Sequence, residues 1–353
     1  MNRREFLGYC IAAGATMGLG YFVSSNADAA PEGGSLLDGL QIADPHAHPY
    51  LFHGNKDVDL TMPDLDLINR MGLVVCSFSA VGDMVRYPGL SGFPYDDTLN
   101  QFQNVLRLHR EGKVHLILNR SDLNAVTETR SLPGALMAIE GGDALEGSLE
   151  NLDKFYQLGV RMITLMHDHN NEIGFNQRSS TDGPLTPFGI KLVEKMNQSG
   201  ILIDVAHSKT NTLKSIAEIT RTPLIDSHTN PLPVGFEPTE PLRMRTWPEM
   251  EMVVKTGGVI CTWPMGFNRR SYQRETFKDW AEEIVLMKSR LGIDHCGLGT
   301  DSGGHLPRTI QGWKSYASLP GLISAMKEAG LSQTDIAAYL GGNFLRILNQ
   351  CLG

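Results

Sequence analysis

Short apolar runs alternate with longer amphipathic stretches from residue 40 to the end of the chain, and this alternation constrains the fold most. It predicts parallel strands joined by helical crossovers, such as those expected at 187–198 and 210–220. The nine expected strands are 40–43, 73–78, 114–118, 135–139, 162–166, 201–205, 223–226, 259–262 and 296–299. Because a barrel of this kind has eight strands, we expect one run, 114–118, to lie outside it.

We therefore predict a (β/α)8 TIM barrel that forms a single domain over residues 36–353, with no sequence signal of a linker inside it. A doubly wound sheet is the competing architecture, because it also alternates strands with helices. The first expected strand is not followed by G-x-G-x-x-G, the turn that provides the commonest ligand site of such sheets. The barrel is the simpler interpretation.

Residues that can bind a metal or carry a proton follow many of these strands. They are His46 and His48 after the first strand, then Glu140, His167, His207, His228 and Asp301. A single histidine after a strand is usually a hydrogen-bonded loop residue. Because the carboxyl ends of barrel strands meet on the active-site face, the repetition predicts one shared site.

The spacing of the histidines favours a metal centre. His46 and His48 are two residues apart, so in an extended segment they point to the same side and can bind one cation together with Glu140. His207 and His228 can bind a second cation, with Glu140 as the bridging residue. Paired cations about 3.5–4 Å apart usually activate a shared water. Histidine and carboxylate donors without thiolate favour Zn²⁺, with Mn, Fe or Co as alternatives.

The first 30 residues have the pattern of an export signal. Arg3 and Arg4 precede an uncharged stretch over 7–23, and small residues follow at a cleavage position near Ala29 or Ala30. The paired arginines resemble the twin-arginine signal, which directs folded proteins across a bacterial inner membrane. A retained membrane anchor is the alternative, since the stretch approaches spanning length. We expect cleavage and a periplasmic or otherwise exported protein.

Composition excludes several classes of protein. The net charge is −8 and the sequence contains no basic run, which argues against nucleic acid as a partner. Five cysteines in 353 residues exclude a disulfide scaffold. A small-molecule substrate is the expected partner.

The strand-end segments, taken in order, resemble the membrane (renal) dipeptidase family, whose members are zinc dipeptidases with an amidohydrolase-like TIM barrel. The resemblance runs from about Ile42 to the C-terminus. It depends on segments 138–142, 161–167, 203–208, 223–228, 292–301 and 340–346. It implies two zinc ions bridged by Glu140, with His46 on one and His207 and His228 on the other. A homodimer and the twin-arginine export machinery are the protein partners that we expect.

The resemblance also implies roles for residues outside the metal set. His167 is expected to contact the substrate near the scissile carbonyl, where it stabilises the developing oxyanion. Asp301 is expected to be the acid/base group that takes a proton from the metal-bridging water and delivers it to the leaving amine. An arginine should bind the substrate carboxylate. Arg245 fits the family spacing better than Arg243, which remains the alternative.

Three departures from the family pattern concern the substrate. His48 replaces an aspartate at the first strand, which removes a negative charge beside the metal. The motif after the last strand, 300–304, lacks a second acidic residue. The segment between His228 and Arg245 contains four prolines, which predict a rigid lid over the pocket. They are Pro231, Pro233, Pro238 and Pro241.

The leading hypothesis is an exported zinc dipeptidase that uses Asp301 as its acid/base group. A second hypothesis keeps the barrel and the metals but places another small amide, a lactone or a modified peptide in the site. A third is a catalytically silent maturation or binding protein with the same fold. Retention of Glu140, His207, His228 and Asp301 argues against the third, because a silent barrel has no chemical need for all four.

Overall fold

Eight parallel strands form a barrel in the computed structural model, which describes residues 36–49, 65–83, 92–236, 243–269, 272–304 and 306–352. The described residues contain eleven strands: β1 (Ile42–Asp44), β2 (Leu73–Val81), β3 (His115–Leu116), β4 (Gly134–Glu140), β5 (Val160–Thr164), β6 (Leu202–Asp204), β7 (Ile225–Thr229), β8 (Val259–Thr262), β9 (Phe267–Arg269), β10 (Tyr272–Arg274) and β11 (Cys296–Leu298). Eight of them, all except β3, β9 and β10, form the ring. Their order around the sheet is β1-β2-β4-β5-β6-β7-β8-β11. The short β3 pairs with β4 off this path, and β9 and β10 form a separate hairpin. The predicted TIM barrel is confirmed, and 114–118 lies outside the ring.

The ring closes just beyond the carboxyl ends of β1 and β11. There the backbone N–H of Asp301 donates to the carbonyl oxygen of His46 at 2.8 Å, and the N–H of His48 donates to that of Ser302 at 2.8 Å. These two bonds place the residues that follow the first strand beside those that follow the last.

Helices join successive strands of the ring. In the described ranges they are α1 (Leu65–Arg70), α2 (Pro94–Gln101), α3 (Gln103–Arg110), α4 (Arg120–Thr129), α5 (Leu149–Leu158), α6 (Pro187–Ser199), α7 (Thr210–Ile219), α8 (Trp247–Lys255), α9 (Phe277–Leu291), α10 (Leu319–Glu328), α11 (Gln333–Ala337) and α12 (Asn343–Cys351). In α6 the Thr186 side chain accepts the N–H of Gly189 at 3.0 Å, and Gly200 ends the helix at φ 70°. Such caps explain why these amphipathic segments begin and end where they do.

One cluster of buried apolar side chains joins the strands to the last helix. Its strand members include Ala43, Leu136, Ala138, Met162, Leu202, Ile225 and Val259. Phe344, Leu345 and Leu348 of α12 belong to the same cluster. Because apolar side chains occupy these positions, the polar groups concentrate at the carboxyl ends of the strands.

Several sequence predictions lie outside the described residues. They are the export signal at 1–30 with its cleavage position, and Pro238 and Pro241 of the expected lid. Among the helices that the structure describes, none has the length and apolar character required to cross a bilayer.

Candidate metal centre and active site

Glu140, at the carboxyl end of β4, is surrounded by imidazole rings. Its Oε1 is 3.3 Å from His46 Nε2, 3.2 Å from His207 Nε2 and 3.5 Å from His228 Nε2. Its Oε2 is 3.5 Å from His48 Nε2. Burial alone raises the pKa of Glu140, but nearby histidines outweigh burial and hold this pKa well below its usual range. The structure thus brings together all five residues that the sequence assigns to metal.

His46 and His48 each direct one ring nitrogen into this cluster. His48 Nδ1 donates to the carbonyl oxygen of Ser79 at 2.9 Å, because a carbonyl oxygen only accepts. In the neutral ring, His48 Nε2 therefore carries a lone pair. The Nε2 atoms of both histidines are buried and have no hydrogen-bond partner among the described residues. Buried polar atoms of this kind normally have a partner, and a bound cation would supply one here.

His207 and His228 direct their Nε2 atoms toward each other, 2.8 Å apart. Ser227 determines the tautomer of His228. Ser227 Oγ donates to Asp204 Oδ2 at 2.6 Å, so it accepts from His228 Nδ1 at 2.8 Å. Burial is the main cause that lowers the pKa of both histidines well below its usual value, which keeps the rings neutral. Neutral imidazole with its other nitrogen hydrogen-bonded is the form that binds metals.

Asp301 reaches the cluster from the turn after β11. Its Oδ1 is 3.3 Å from His48 Nε2 and 3.8 Å from His46 Nε2. Its backbone is left-handed, with φ 49°, a conformation that non-glycine residues adopt rarely. A β-carbon at position 304 would lie 1.8 Å from Asp301 Oδ1, so Gly304 is needed to leave room for the carboxylate. Strain held in place in this way is common at functional sites.

His167 lies beside the cluster and is held by Asp83, a residue that the sequence analysis missed. His167 Nδ1 donates to Asp83 Oδ1 at 2.5 Å, and His167 Nε2 is 3.7 Å from Glu140 Oε1. Burial alone lowers the pKa of His167, but the carboxylates of Glu140 and Asp83 outweigh it and raise this pKa to about 9. His167 is therefore protonated at neutral pH in this arrangement. Its side chain is 15% exposed, which leaves it within reach of a bound molecule.

The end of β2 explains why Asp83 was missed. The predicted strand stopped at 78, whereas β2 continues to Val81 and brings Asp83 to the edge where the other site residues lie. Ser77 and Ser79 interrupt the apolar run in the sequence. In the barrel both serines are buried, and their hydroxyls are hydrogen-bonded to each other at 2.9 Å. A strand prediction that extends through these two hydrogen-bonded serines places Asp83 near the strand end.

The two candidate arginines have different surroundings. Arg245, the predicted carboxylate-binding residue, is 1% exposed, and its Nε donates to Asp226 Oδ2 at 2.6 Å. Its other guanidinium nitrogens donate to the carbonyl oxygens of Ser208 and Val205. Arg243 is 24% exposed, and its NH2 is 2.8 Å from an oxygen of Asp168, the neighbour of His167. The structure therefore buries Arg245 in the interior and leaves Arg243 partly exposed.

Possible metal-binding atoms of the described residues form four groups, in each of which all ligand atoms lie within 4.8 Å of one another. Two of these groups together contain the five predicted ligands: His46, His48 and Asp301 form one, and Glu140, His207 and His228 form the other. Asp301 thus joins the first histidine pair, while Glu140 contacts members of both groups. Unpaired imidazole nitrogens beside carboxylates are a donor set that fits divalent transition metals.

Sequence comparison relates the chain to dipeptidases. A family model described as membrane dipeptidase (peptidase family M19) matches residues 70–352. Dipeptidase verJ of Clonostachys rogersoniana is 31% identical over 221 residues, which cover 61% of this chain and 54% of that protein. Dipeptidase aclJ of Aspergillus oryzae (strain ATCC 42149 / RIB 40) is 27% identical over 294 residues, or 79% of this chain and 68% of that protein. The matched region thus spans about half to two thirds of these relatives.

Structural comparison supports the fold. The chain is similar to a metallo peptidase from Rhodobacter sphaeroides that was solved with a phosphinate mimic of the dipeptide L-Ala-D-Ala. The TM-score is 0.76 at 19% sequence identity, and the match covers 88% of this chain and 99% of the other. At this identity the likeness concerns the barrel architecture.

Proposed function

The chain belongs to the membrane dipeptidase family (peptidase family M19), and on that premise we propose that it hydrolyses the peptide bond of dipeptides with two zinc ions. One observation carries the proposal. Four buried imidazoles and two carboxylates converge at the carboxyl ends of barrel strands, and the Nε2 atoms of His46 and His48 have no hydrogen-bond partner among the described residues. Polar groups this deeply buried need a cation or a proton between them.

In the proposed centre, His46 and His48 would hold one zinc and His207 and His228 the other, with the Glu140 carboxylate lying between the two histidine pairs. Imidazole and carboxylate donors suit zinc, with manganese, iron or cobalt as alternatives. When bound, such cations polarise a carbonyl oxygen and lower the pKa of water to about 7. Hydrogen bonds to the Nδ1 atoms of His48 and His228 orient these rings before a cation arrives.

Asp301 moves the proton in the proposed reaction. The contacts of Glu140 with imidazoles involve both of its oxygens, whereas those of Asp301 involve Oδ1 alone. Asp301 is therefore the better placed of the two carboxylates to accept a proton from the attacking water and deliver it to the leaving amine.

His167 stabilises negative charge on the carbonyl oxygen of the scissile bond. Asp83 accepts from its Nδ1 and orients the ring, and because the ring is protonated its Nε2–H faces the cluster. A preoriented cationic donor at this position favours the tetrahedral intermediate over the planar substrate. Arg243, rather than the buried Arg245, binds the C-terminal carboxylate of the dipeptide.

Metal analysis combined with a dipeptide assay tests this proposal. We expect about two zinc ions per chain and cleavage of L-Ala-L-Ala and L-Ala-D-Ala, the second suggested by the ligand of the Rhodobacter sphaeroides protein. Asp301→Asn should retain zinc but lower kcat by about 100-fold or more, because the proton carrier is gone. His109→Gln is the matched control, since His109 lies on α3 and hydrogen-bonds the carbonyl oxygen of Val114, outside the metal centre.

The outcomes separate the three hypotheses. A wild-type protein that binds no zinc, or that cleaves no dipeptide, would overturn the proposal. Full biological activity of an Asp301→Asn protein without turnover would favour a binding protein. Hydrolysis of cyclic amides or lactones in preference to dipeptides would favour the second hypothesis, which the presence of His48 in place of the family's aspartate supports.

We also propose that residues 1–30 direct export by the twin-arginine route and are removed near Ala29 or Ala30. The support is the pair Arg3 and Arg4 ahead of the uncharged stretch 7–23. Replacing both arginines by lysine should keep the protein in the cytoplasm on cell fractionation. Undiminished periplasmic protein in that variant would contradict this route.

A further inference from the structure

The loop after β5 places Arg178 at the edge of the metal centre. Gln177 connects this loop to two other segments of the site. Its backbone N–H donates to the carbonyl oxygen of His207 at 2.6 Å, and its side-chain Nε2 donates to the carbonyl oxygen of Met244 at 2.5 Å. Arg178 is thereby held between a histidine of the metal centre and the segment that carries Arg243.

Asn176 attaches the same loop to His167. Its Oδ1 accepts the backbone N–H of Arg178 at 2.8 Å, and its Nδ2 donates to the carbonyl oxygen of His167. Asn176 is 1% exposed, so both bonds are shielded from competing water. The position of the Arg178 backbone is therefore set by the same groups that set the position of His167.

Arg178 and Arg243 share one carboxylate. The NH1 of Arg178 is 3.4 Å from Asp168 Oδ1, and the NH2 of Arg243 is 2.8 Å from the same oxygen. Their side chains are 47% and 24% exposed. Lys209 adds a further positive charge nearby, since its Nζ donates to the carbonyl oxygen of Ser179 in the same loop. We call Arg178 and Arg243 the cationic rim; among the residues that the structure describes, both of its charges pair with the same carboxylate, that of Asp168.

Within the described part of the chain, two arginines on one carboxylate leave positive charge available to a substrate, which indicates the dipeptides that the site selects. A dipeptide with neutral side chains brings one carboxylate, which one arginine can bind. We infer that the cationic rim binds two carboxylates, the α-carboxylate at Arg243 and an acidic side chain at Arg178. The preferred substrates are then dipeptides with aspartate or glutamate at the C-terminal position. This inference rests on the proposed function and adds its substrate class.

Steady-state kinetics of the zinc-loaded protein on Ala-Ala, Ala-Asp and Ala-Glu test the inference. We expect the wild type to favour the acidic dipeptides by about tenfold in kcat/KM, since a charge-assisted hydrogen bond at a partly exposed site has about this effect. Arg178→Gln should remove most of this ratio, mainly through KM. Arg178→Glu should lower the ratio below one by repulsion. Arg107→Gln is the matched control, because Arg107 is 45% exposed and pairs with Glu111 on a distant helix.

Each result decides a different point. Equal kcat/KM for the three dipeptides in the wild type would overturn the inference and leave the dipeptidase proposal standing. An unchanged ratio in both Arg178 variants, with thermal melting confirming that they fold, would also overturn it. Absence of cleavage of all three dipeptides by the wild type would overturn the proposed function itself.

Discussion

Asp83 acts on the proposed reaction chiefly through His167. It is 6% exposed, and besides accepting from His167 Nδ1 it accepts the backbone N–H of Asp168 through its other oxygen at 2.9 Å. One carboxylate thus fixes both the imidazole that faces the substrate and the start of the loop that carries Asp168. Carboxylates that orient an imidazole in this way commonly change activity 10–100-fold when they are removed.

We predict that Asp83→Asn lowers kcat by at least about tenfold while KM and zinc content change little. The amide cannot hold His167 in the same tautomer and charge state as the carboxylate does. Asp122→Asn is the matched control, because Asp122 also pairs with a histidine, His115, at 3.2 Å, but in β3 and α4, off the barrel ring. A parallel rise in KM, or loss of zinc, would show that Asp83 supports the fold of the site rather than the orientation of His167.

Helix α11 shows how a short element depends on its first turn. The Ser332 side chain accepts the backbone N–H of Asp335 at 3.1 Å, and Asp335 Oδ2 accepts the backbone N–H of Ser332 at 2.8 Å. Lys288 of α9 places its Nζ 2.8 Å from the same oxygen. These bonds to Lys288 and Ser332 lower the pKa of Asp335 to about 2. The ionised carboxylate therefore stabilises both the helix start and its contact with α9.

We predict that Asp335→Asn lowers the free energy of unfolding by about 1 kcal/mol at pH 7, the usual effect of losing a helix cap. Because the folded-state pKa is below the unfolded value of about 4, the stabilisation is complete above pH 4. It declines as pH falls toward 2. Urea unfolding of both proteins between pH 7 and pH 3 measures this difference.

Glu218→Gln is the control for Asp335→Asn, because Glu218 is 63% exposed and pairs with Lys214 at 3.9 Å within one helix. Exposed pairs of this kind contribute little, so this variant should match the wild type at every pH. A difference between Asp335→Asn and the wild type that stays constant down to pH 3 would mean that the carboxylate charge is not the cause.

In the whole molecule, the side chain that helps to close the barrel also positions a histidine of the metal centre. Asp44 at the end of β1 accepts from the Thr300 hydroxyl at 2.5 Å and from the Tyr316 hydroxyl at 2.6 Å. It also accepts the backbone N–H of His46 at 3.0 Å. The same carboxylate therefore joins the first strand to the last and positions a histidine of the centre. Occupation of the centre by a cation should stabilise the entire ring.

We predict that removing metal with a chelator lowers the melting temperature by several degrees, and that added zinc restores it. A ligand at about 100 times its dissociation constant stabilises the folded state by about 2.7 kcal/mol, which corresponds to a shift of this size for a large domain. Differential scanning fluorimetry measures the change, with zinc-saturated chelator as the control. His46→Ala should show a smaller response, and an unchanged melting temperature in the wild type would contradict the metal centre.

The local pattern of the sequence was enough for the barrel and for most of the site. Alternating strands and helices dictate parallel pairing, and parallel pairing brings the carboxyl ends of all strands to one edge. Any residue that directly follows a strand must then lie on that edge. For this reason His46, Glu140, His207 and His228 could be grouped from sequence alone.

Only the tertiary structure decided which side chains turn toward the site from the loops. Arg243 and Arg245 are two residues apart, yet Asp226 of β7 binds Arg245 in the interior while Asp168 holds Arg243 at the surface. Asp83 joined the site because buried Ser77 and Ser79 satisfy each other and let β2 continue. The direction of a loop side chain depends on partners far away in the sequence, and these partners become neighbours only when the barrel has closed.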